Sequence, residues 1–480
     1  MRKTKIVCTL GPASANEEII EKMLKAGMNI ARLNFSHGTH QGHREYIEMF
    51  RAVRDRLEIP AGVMLDTKGP EIRVGTFEGG SAVLEEGKEF VLTVSECVGN
   101  CQRAEISYKN LPAEVKSGDR LVMDDGKISL KVESVKDNDI ICRVIHGGKV
   151  SDRKSVNLPG VALAMPYMNE KDKADILFGI EMDVDFVAAS FVRSRDDVIT
   201  LRKFLDYNGG HDIKIISKIE NMQGIENFDE ILSVSDGIMI ARGDMGVEVP
   251  FEKLPGIQKR FIRRCYTAGK MVITATQMLE SMISNPAPTR AEITDVANAV
   301  FDGTSAVMLS GESAMGKYPV KAVETMAMIA RQAEKDAFDM NMYCDRQFDM
   351  DSGDIANAIC DAACTTARDI NAKAIIAVTM HGHTARRMSK FRPVYPIVAA
   401  TPKEKTFHQL ALSWGVYPVV ARMISDSDEL FVHAADCAKQ LDIVSNGDQV
   451  VITAGLPLNS GASTNIVRIH RVGDFHIDNK

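Results

Sequence analysis

Short apolar runs rich in β-branched residues alternate with amphipathic stretches along most of the chain. Such runs are typical of buried strands, whereas apolar positions that recur every three or four residues are typical of helices. The predicted strands are Lys5–Thr9, Asn29–Phe35, Gly62–Asp66, Asp185–Phe191, Lys214–Ile219, Gly237–Ala241, Met271–Thr276 and Ser305–Leu309. The predicted helices are Glu17–Ala26, Gly42–Leu57, Asn169–Glu181, Ser194–Tyr207, Gly256–Ala268 and Val320–Lys335. Strands that alternate with helices pair in parallel, and eight such repeats favour an α/β fold with a closed (β/α)8 TIM barrel.

The pattern changes after the third predicted strand. Between Gly69 and about Pro166 the chain is rich in glycine and acidic residues, and apolar residues alternate with polar ones, as in Glu89–Val94. Turn dipeptides such as Asp125-Gly126 recur in this region. We therefore predict a small β-barrel domain inserted into the (β/α)8 barrel, where it would project from the mouth as a lid.

A second α/β pattern follows the barrel pattern, after a linker-like stretch at Asp336–Gly353. It begins with an amphipathic helix at Asp354–Ile370. Predicted strands follow at Ala374–Thr379, Tyr395–Ala399, Val416–Val420 and Gln449–Ala454. We expect three domains: a catalytic barrel of residues 1–69 and 167–337, a lid of residues 70–166, and a C-terminal α/β regulatory domain of residues 338–480.

The composition excludes several classes of protein. The chain has 480 residues, of which 45% are hydrophobic and 26% charged, as in ordinary globular proteins. A net charge of −7 argues against a general nucleic-acid binder, and no apolar run approaches the ~18 residues that span a bilayer. The first residues are predicted to form a strand and show no signal region. The nine cysteines show no zinc-type spacing. We expect a cytoplasmic protein with reduced cysteines.

Polar and charged residues stand where the predicted barrel strands end. They are Arg32, Asn34, Asp66, Ser190, Lys218, Glu220, Arg242, Asp244, Thr276, Ser310 and Glu312. Buried parallel strands are normally apolar throughout, so the presence of polar and charged residues at their ends requires an explanation. The carboxyl ends of barrel strands meet at one mouth, where active sites form. Helix capping could explain Ser190 or Ser310, but it does not explain Arg32, Asp66 and Lys218 together.

The segments around Lys218 and Asp244 indicate a metal-bridged phosphate. Lys218 and Glu220 lie two residues apart on a strand and therefore face the same way. Two acidic side chains with an adjacent ammonium suit Mg²⁺ that holds a phosphate, with the ammonium facing the transferred charge. Gly243 would let backbone N–H groups approach an anion closely. The alternative is a purely structural ion network of these side chains with Arg242.

A second cluster of polar residues follows the second and third predicted strands. It comprises Arg32, Asn34, Ser36, Asp66 and Thr67. Alternation along the strand puts Arg32, Asn34 and Ser36 on one face. Arginine makes bidentate contacts with phosphate, and the oxygens of the other side chains, with a single negative charge, suit a weakly held monovalent cation. The neighbouring His37 is either a general base or a hydrogen-bonded structural histidine.

These segments, together with others, resemble the pyruvate kinases. The matching segments are ARLNFSHG at 31–38, DTKGPEIR at 66–73, ISKIEN at 216–221, ARGD at 241–244, TATQMLESM at 274–282, PTRAE at 288–292, DVANAV at 295–300 and MLSGE at 308–312. The resemblance runs in order from Lys3 to the C-terminal domain. It implies the last step of glycolysis, the transfer of the phosphoryl group of phosphoenolpyruvate to ADP, with Mg²⁺ or Mn²⁺ and K⁺ as cofactors.

The resemblance also implies roles for individual residues. Lys218 would stabilise the phosphoryl and enolate charge, and Thr276 and Ser310 would serve the delivery of a proton to the enolate carbon. The implied substrate contacts are Arg32, Gly243, Asp244 and Thr276, and the implied Mg²⁺ ligands are Glu220 and Asp244. The implied K⁺ ligands are Asn34, Ser36, Asp66 and Thr67. The implied nucleotide contacts are Asn34, His37, Arg73 and Lys154.

Glu71 bears on the need for potassium. Members of the family that work without K⁺ tend to carry lysine at this position, where the ammonium substitutes for the cation. A carboxylate instead leaves room for K⁺. We therefore predict activation by a monovalent cation.

A loop in the C-terminal domain resembles the allosteric phosphate loop of the family. It contains Thr379, His381, Gly382, His383 and Thr384, after a predicted strand and before a helix, where hydroxyl and backbone amide groups make an anion site. Many relatives carry Ser-Gly in place of His381-Gly382, and the later loop at 453–461 lacks the Trp and Arg found where fructose 1,6-bisphosphate binds. We expect a sugar-phosphate or nucleotide effector; a structural turn is the alternative.

Three further expectations concern partners and competing functions. The segment at Arg290 lies where the family forms contacts between subunits, so the resemblance implies a homotetramer. A metal-dependent aldolase or mutase acting on pyruvate-like enolates would need no nucleotide site, so Arg73, Lys154 and the lid argue against it. A non-catalytic sugar-phosphate sensor would not need the set that includes Lys218 and Glu220.

Overall fold

Three strands and two helices begin the barrel in a computed structural model that describes residues 1–343, 354–458 and 463–474. Their bounds are β1 Lys5–Thr9, α1 Glu17–Ala26, β2 Ile30–Asn34, α2 His40–Arg56 and β3 Gly62–Asp66. Helix α2 begins two residues before its predicted start because the Thr39 hydroxyl accepts a hydrogen bond from Gly42 N–H at 3.2 Å. Parts of the predicted segments 336–353 and 453–461 lie outside the described residues.

The inserted region after β3 is built almost entirely of strands. Its elements are β4 Ile72–Arg73, β5 Ser81–Leu84, β6 Glu89–Thr93, β7 Arg103–Glu105, α3 Leu111–Glu114, β8 Arg120–Met123, β9 Ile128–Lys136, β10 Asp139–His146, β11 Gly148–Ser151 and β12 Ser155–Asn157. Seven strands form one sheet in the order β4-β12-β8-β9-β10-β6-β7, and β11 pairs with β5. The region has its own core, which includes Phe90, Leu121 and Leu130. The predicted all-β insertion is confirmed.

The barrel resumes after the insertion and closes. Its remaining elements are α4 Glu170–Glu181, β13 Phe186–Ala189, α5 Arg195–Tyr207, β14 Lys214–Ile219, α6 Met222–Glu226, α7 Phe228–Val234, β15 Gly237–Ala241, α8 Arg242–Glu248, α9 Leu254–Thr267, β16 Met271–Ala275, α10 Arg290–Asp302, β17 Ala306–Leu309, α11 Gly311–Ala314 and α12 Pro319–Asp339. The strand order is β1-β17-β16-β15-β14-β13-β3-β2, and all pairs are parallel. The predicted (β/α)8 barrel is confirmed.

The C-terminal region is a separate α/β sheet with helices. Its elements are α13 Ile355–Asp369, β18 Ala374–Val378, α14 His383–Lys390, β19 Ile397–Thr401, α15 Glu404–Gln409, β20 Val416–Val420, α16 Ser427–Gln440, β21 Gln449–Ala454 and β22 Ile466–Arg471. The order is β20-β19-β18-β21-β22, and only the last pair is antiparallel. The sequence analysis missed β22, because this edge strand is mostly half-buried or exposed and lacks a continuous apolar run. No helix in the described residues is both long and apolar enough to cross a membrane.

The C-terminal region covers the amino-terminal end of the barrel. Ala411 and Leu412 pack with the side chains that fill the barrel interior, such as Met64 and Phe186. The ammonium of Lys5 donates to the backbone oxygen of Val416 at 2.6 Å. Since this end of the barrel is covered, the open mouth is the opposite end, where the carboxyl ends of the strands meet.

Candidate active site at the mouth of the barrel

Four side chains of alternating charge cross the mouth of the barrel. Arg32 on β2 donates from Nε to Oδ2 of Asp66, the last residue of β3, at 2.6 Å. Lys218 on β14 places its Nζ 3.0 Å from Asp66 Oδ1 and 3.0 Å from Glu220 Oε1. All four side chains are buried. Because buried charges are stable only when they are paired, these groups hold one another in place.

The pairing determines the protonation of the mouth. Burial by itself raises the pKa of Asp66, but the charges of Arg32 and Lys218 outweigh it and hold the pKa below its usual value. Burial lowers the pKa of Lys218, but the carboxylates of Asp66 and Glu220 outweigh that effect and raise it. Lys218 therefore carries a positive charge at neutral pH, and it is suited to face negative charge that develops on a phosphoryl group.

Glu220 and Asp244 form the acidic part of the mouth. Glu220 Oε2 accepts the backbone N–H of Phe191 at 2.6 Å, and Asp244 lies in the first turn of α8. Burial raises the pKa of both carboxyl groups, against the opposing charge of Lys218, and the charge of Asp244 adds to the rise at Glu220. Two buried carboxyl groups that resist ionisation side by side are favourable ligands for a cation.

A cation at this pair would need further ligands. In the part of the chain that the structure describes, no group of three or more His, Cys, Asp and Glu side chains is arranged to hold a metal ion. Mg²⁺ is commonly held by one or two carboxylates together with substrate phosphate and water. Glu220 and Asp244 therefore fit a metal that binds with its substrate better than one that the protein holds alone.

Thr276 connects the ends of β15 and β16. The backbone N–H of Gly243 donates to Thr276 Oγ1 at 2.9 Å, and this hydroxyl donates to the Ala275 carbonyl at 2.6 Å. Thr276 has a φ of +68°, a conformation that is rare for a β-branched residue. Backbone strain of this kind persists where surrounding contacts impose it, and it is common at functional sites.

Ser310 follows β17, which is the neighbour of β16 in the barrel, so Ser310 and Thr276 stand at adjacent strand ends. The backbone N–H of Ser310 donates to Glu312 Oε2 at 2.7 Å. Burial raises the pKa of Glu312, and backbone N–H groups that include that of Leu279 oppose the rise. Glu312 therefore fixes the loop that carries Ser310.

The sequence analysis named Ser190 at a strand end without giving it a role, and it missed Thr9. Ser190 Oγ accepts a hydrogen bond from Lys218 Nζ at 2.7 Å and donates to the Thr67 carbonyl at 2.6 Å. Thr9 Oγ1 accepts from the Arg32 guanidinium at 2.8 Å. Both residues are polar and close to a predicted strand end, which is the only signal that could have marked them.

Arg242 does not pair with the acidic residues of the mouth, as the alternative of a structural ion network would require. Its guanidinium forms an ion pair with Asp295 on α10 at 2.6 Å and donates to the carbonyl of Thr276 at 2.6 Å. The residue begins helix α8 instead of continuing β15, so alternation along a strand does not apply to it. Arg242 therefore stabilises the loop of Thr276. The charged side chains that pair with Lys218 and Glu220 in the mouth are Arg32 and Asp66 instead.

The predicted monovalent-cation residues lie in two neighbouring loops. Asn34 Oδ1 accepts the N–H of Ser36 at 3.1 Å, and Thr67 Oγ1 accepts the N–H of Ser190 at 3.1 Å. Asp66, the residue before Thr67, forms ion pairs with Arg32 and Lys218. His37 is exposed at the end of the first loop.

Helix α4 fastens both of these loops. Lys171 Nζ donates to the carbonyl of Phe35 at 2.8 Å and to Asp175 Oδ2 at 2.6 Å. Asp172 Oδ1 accepts the N–H of Gly69 at 3.0 Å. Gly69 has a φ of +73°, and an added Cβ would lie 2.9 Å from Ser190 Cβ, so the turn requires glycine.

The charged residues predicted to contact a nucleotide are paired within the lid. Arg73 forms an ion pair with Glu71 at 2.7 Å, and Lys154 forms one with Asp124 at 2.6 Å. A cavity of about 260 Å³ between the lid and the barrel is lined by residues that include Glu71 and Asp244. The ion pairs are partly exposed, so their cations can exchange partners at low cost.

The predicted effector loop lines a larger cavity of about 690 Å³ in the C-terminal region. Thr379 Oγ1 accepts the N–H of Gly382 at 3.0 Å, and the hydroxyls of Thr384 and Thr464 lie 2.6 Å apart. Burial, followed by the charge of Arg386, lowers the pKa of His383 to about 4, and burial with Lys403 lowers the pKa of His381. Both imidazoles are therefore neutral at pH 7 and act as hydrogen-bonding groups.

The fold and the site together define a class. The protein is a three-part (β/α)8-barrel enzyme with a β-rich lid after the third strand and a mouth of paired, buried charges.

Comparison with known proteins gives the family. The family model described as "Pyruvate kinase, barrel domain" matches residues 1–323, and the model described as "Pyruvate kinase, alpha/beta domain" matches residues 357–470. The pyruvate kinase of Clostridium acetobutylicum is 47% identical over 98% of this chain and 100% of its own, and that of Staphylococcus haemolyticus is 48% identical over 99% of this chain and 81% of its own. The crystal structure of a pyruvate kinase from Cryptosporidium parvum matches with a TM-score of 0.90 and 40% identity, over 98% of this chain and 96% of the other. The chain belongs to the pyruvate kinase family.

Proposed function

We propose that the protein transfers the phosphoryl group of phosphoenolpyruvate to ADP and gives pyruvate and ATP, the final step of glycolysis. Membership of the pyruvate kinase family supports this reaction. The observation that carries the proposal is the paired set of Arg32, Asp66, Lys218 and Glu220 beside Asp244. Phosphoryl transfer depends on positioning and on the neutralisation of spread negative charge, and this set supplies both.

The reaction exchanges one P–O bond for another. A β-phosphate oxygen of ADP forms a bond to phosphorus, and the bond from phosphorus to the enol oxygen of phosphoenolpyruvate breaks. Arg32 binds the phosphate, and the Lys218 ammonium faces the transferred group and the enolate oxygen. The enolate then takes a proton at its methylene carbon, and Thr276 and Ser310 are the groups we assign to the delivery of that proton. Gly243 and Asp244, with Thr276, complete the substrate contacts.

Glu220 and Asp244 would hold the divalent metal, Mg²⁺ or Mn²⁺. Their buried carboxyl groups, with a raised pKa at each, support this assignment. When bound, the ion supplies positive charge that neutralises phosphate oxygens. Asn34, Ser36, Asp66 and Thr67 would hold K⁺. Glu71 supports a need for that cation, because no ammonium occupies its position.

Arg73 and Lys154 would contact the nucleotide, together with Asn34 and His37. In this proposal the phosphates of ADP attract Arg73 away from Glu71 and Lys154 away from Asp124. The exchange draws the lid toward the mouth and excludes water, which protects the phosphoryl donor from hydrolysis.

We assign three domains: a barrel of residues 1–69 and 167–337, a lid of residues 70–166 and a C-terminal domain of residues 338–480. Separate hydrophobic cores in the three regions support this division, with Ile6, Leu130 and Ile376 as representatives. Each core has the layered packing expected of a domain of its own.

The C-terminal cavity is proposed as an allosteric site for a sugar phosphate or a nucleotide. The hydroxyls of Thr379 and Thr384, the neutral imidazoles of His381 and His383 and the first turn of α14 support an anion there. Gly382 has a φ of +77°, a backbone conformation that residues with a side chain rarely adopt, so the loop depends on glycine. We also propose that the protein acts in glycolysis in the cytoplasm and that it forms a homotetramer.

A coupled assay tests the proposed reaction. Pyruvate formed from phosphoenolpyruvate and ADP is reduced by lactate dehydrogenase, and NADH loss is followed with and without K⁺ and Mg²⁺. We expect turnover that requires ADP and the divalent ion and that rises with K⁺. Pyruvate formation that does not depend on ADP would contradict the proposal and favour a hydrolase or a lyase at the same mouth.

A further inference from the structure

His43 lies in the first turns of α2, beside the loop that joins β2 to this helix. The loop carries Asn34 and Ser36, which we assign to K⁺, and His37, which we assign to the nucleotide. His43 is 8% exposed, and the proposed reaction gives it no role. Because buried polar groups are normally hydrogen-bonded, the partners of its ring indicate what it does.

The imidazole of His43 holds the loop at two points. Its Nε2 lies 2.9 Å from the carbonyl oxygen of His37, and its ring stacks on that of Phe35, with centroids 4.1 Å apart and planes at 23°. Phe35 stands between Asn34 and Ser36 in the chain, and His37 follows Ser36. Both contacts therefore act on the residues that present the proposed ligands.

The carbonyl of His37 determines which tautomer His43 adopts. A carbonyl oxygen only accepts, so Nε2 of His43 carries the proton and donates it. Burial lowers the pKa of His43, while the hydrogen bond to His37 opposes this, so the ring is neutral at pH 7. Nδ1 is buried and has no hydrogen-bonding partner in the part of the chain that the structure describes. The one hydrogen bond of this ring to the described residues is thus made to the loop.

Other contacts anchor the two ends of the loop. Asn34 is the last residue of β2, and the hydroxyl of Thr39 caps α2. The carbonyl of His37 lies between these ends in the chain and accepts the N–H of His43. Loss of this N–H should therefore loosen the loop while β2 and α2 keep their structure.

We propose that His43 is a positioning residue: its Nε2–H holds the His37 carbonyl and thereby sets Asn34, Ser36 and His37 for the monovalent cation and ADP. This inference rests on the proposed function, because it concerns two ligands of that reaction. A hydrogen bond that fixes a binding loop before the ligand arrives reduces the entropy cost of binding and raises affinity. Lys218 stands on another strand, so the chemical step should be little affected.

Two substitutions separate the hydrogen bond from the ring stacking. His43→Phe keeps a ring against Phe35 and removes the N–H, whereas His43→Gln keeps an N–H donor and removes the ring. His211→Gln removes an exposed imidazole from the loop before β14 and serves as the control. Circular dichroism and thermal unfolding check that each variant is folded.

Binding and turnover are measured on the full-length proteins. Calorimetry gives the dissociation constant of ADP with Mg²⁺, in K⁺ and in tetramethylammonium, and steady-state kinetics gives kcat and KM. In His43→Phe we expect the dissociation constant of ADP, its KM and the K⁺ concentration for half activation each to rise about fivefold. The kcat at saturating ligands and the KM of phosphoenolpyruvate should change by less than about twofold. His43→Gln should lie closer to the wild type than His43→Phe does.

Three results would overturn the role of His43. The affinities for ADP and K⁺ could be unchanged in His43→Phe, or kcat alone could fall, which would indicate a purely structural residue. A larger defect in His43→Gln than in His43→Phe would assign the role to stacking instead of the N–H. A wild type that binds ADP but forms no pyruvate would contradict the proposed function, and the calorimetric comparison would still decide the role of His43.

Discussion

The mouth of the barrel and the cavity of the C-terminal region are built at equivalent places in their sheets but with opposite electrostatics. Both lie at the carboxyl ends of parallel strands: Lys218 is on β14, and Thr379 directly follows β18. In the mouth, cations and carboxylates pair directly, as in Lys218 with Asp66 and with Glu220. In the C-terminal cavity, no Asp or Glu of the described residues is part of the lining.

The arginines of the C-terminal cavity have distant and at least partly exposed partners. Arg387 lies 3.5 Å from Asp354, and Arg422 lies 3.7 Å from Glu429. Such pairs contribute little to stability, so their guanidinium groups are available to a ligand. The mouth, by contrast, has surplus carboxyl groups that favour a metal together with the anion.

The comparison shows that the ends of strands position ligands in both regions. The proportion of acidic to basic side chains at each site then determines which kind of ligand binds. A mouth with carboxylates suits an anion bridged by metal. A cavity with guanidinium, hydroxyl and backbone N–H groups suits an anion that binds directly.

The largest effect is expected from Lys218→Met, which removes the ammonium of the mouth. We expect turnover to fall by about 10³-fold or more, because charge on the transferred group loses its nearest cation. Steady-state kinetics measures the loss, and circular dichroism checks the fold. Lys214→Met, at the other end of the same strand, is the control. Turnover near that of the wild type in Lys218→Met would contradict the role.

Glu71→Lys tests whether the mouth needs an external monovalent cation. The new ammonium should substitute for K⁺, so the ratio of rates with and without K⁺ should fall toward one. Rates are measured in tetramethylammonium buffer with added KCl. Glu78→Lys, on the exposed surface of the lid, should keep the dependence of the wild type. Equal dependence in all three proteins would count against the assignment of Glu71.

Arg387→Gln tests the direct binding of anions in the C-terminal cavity. Loss of the guanidinium should weaken binding of ribose 5-phosphate or fructose 1,6-bisphosphate about tenfold, without a requirement for Mg²⁺. Calorimetry measures both ligands with and without metal. Arg368→Gln removes an exposed arginine of α13 and serves as the control. If neither ligand binds to the wild type, or if binding requires metal, the contrast between the two sites fails.

Lys171→Met tests how α4 supports the monovalent-cation loops of the mouth. Without the hydrogen bond to the Phe35 carbonyl, the loop of Asn34 and Ser36 should hold K⁺ less well. We expect the K⁺ concentration for half activation to rise by roughly threefold, with a smaller change in turnover at saturating K⁺. Lys173→Met, whose exposed lysine pairs with Glu170 on the same helix, should leave it unchanged. A change in turnover alone would indicate a different role.

The smallest effect is expected from Lys5, a buried cation that, within the described residues, has no ion pair of the kind found in the mouth. Burial lowers the pKa of Lys5, at the covered end of the barrel, to about 7, and the charge of Arg2 adds to this. The unfolded lysine keeps its proton up to about pH 10, so between these values the unfolded chain binds more protons and the free energy of unfolding rises with pH.

Lys5 alone raises the free energy of unfolding by at most about 1.4 kcal/mol per pH unit over this range. Denaturant unfolding from pH 7 to pH 9 measures this slope, and Lys5→Met should flatten it. Lys22→Met, on the exposed surface, should keep the slope of the wild type. A wild-type stability that falls over this range would contradict the prediction.

Much of the fold could be predicted because its signal is local. Predicted and observed bounds coincide for β1, β3, β14 and β15, since each is a buried run flanked by polar residues. Helix α8 was not predicted, because its seven residues are too few to show a helical period. The same short helix carries Arg242 toward Asp295 and away from the acidic residues of the mouth.

The candidate site was predictable in composition but not in its pairings. The residue types at strand ends indicated phosphate and metal, which led to Arg32, Lys218 and Glu220. The partners of these residues lie far away in sequence: Lys218 contacts Asp66, 152 residues before it, and Arg242 contacts Asp295, 53 residues after it. No local pattern carries such information.

The sequence by itself determined where strands and helices form and which polar groups stand at the strand ends, because these depend on neighbours within a few residues. Only the tertiary structure decided which charges are buried together, such as those of Lys218 and Asp66. The physical reason is that the energy of a charge depends on its burial and on the charges around it, and closure of the barrel and docking of the C-terminal region create both.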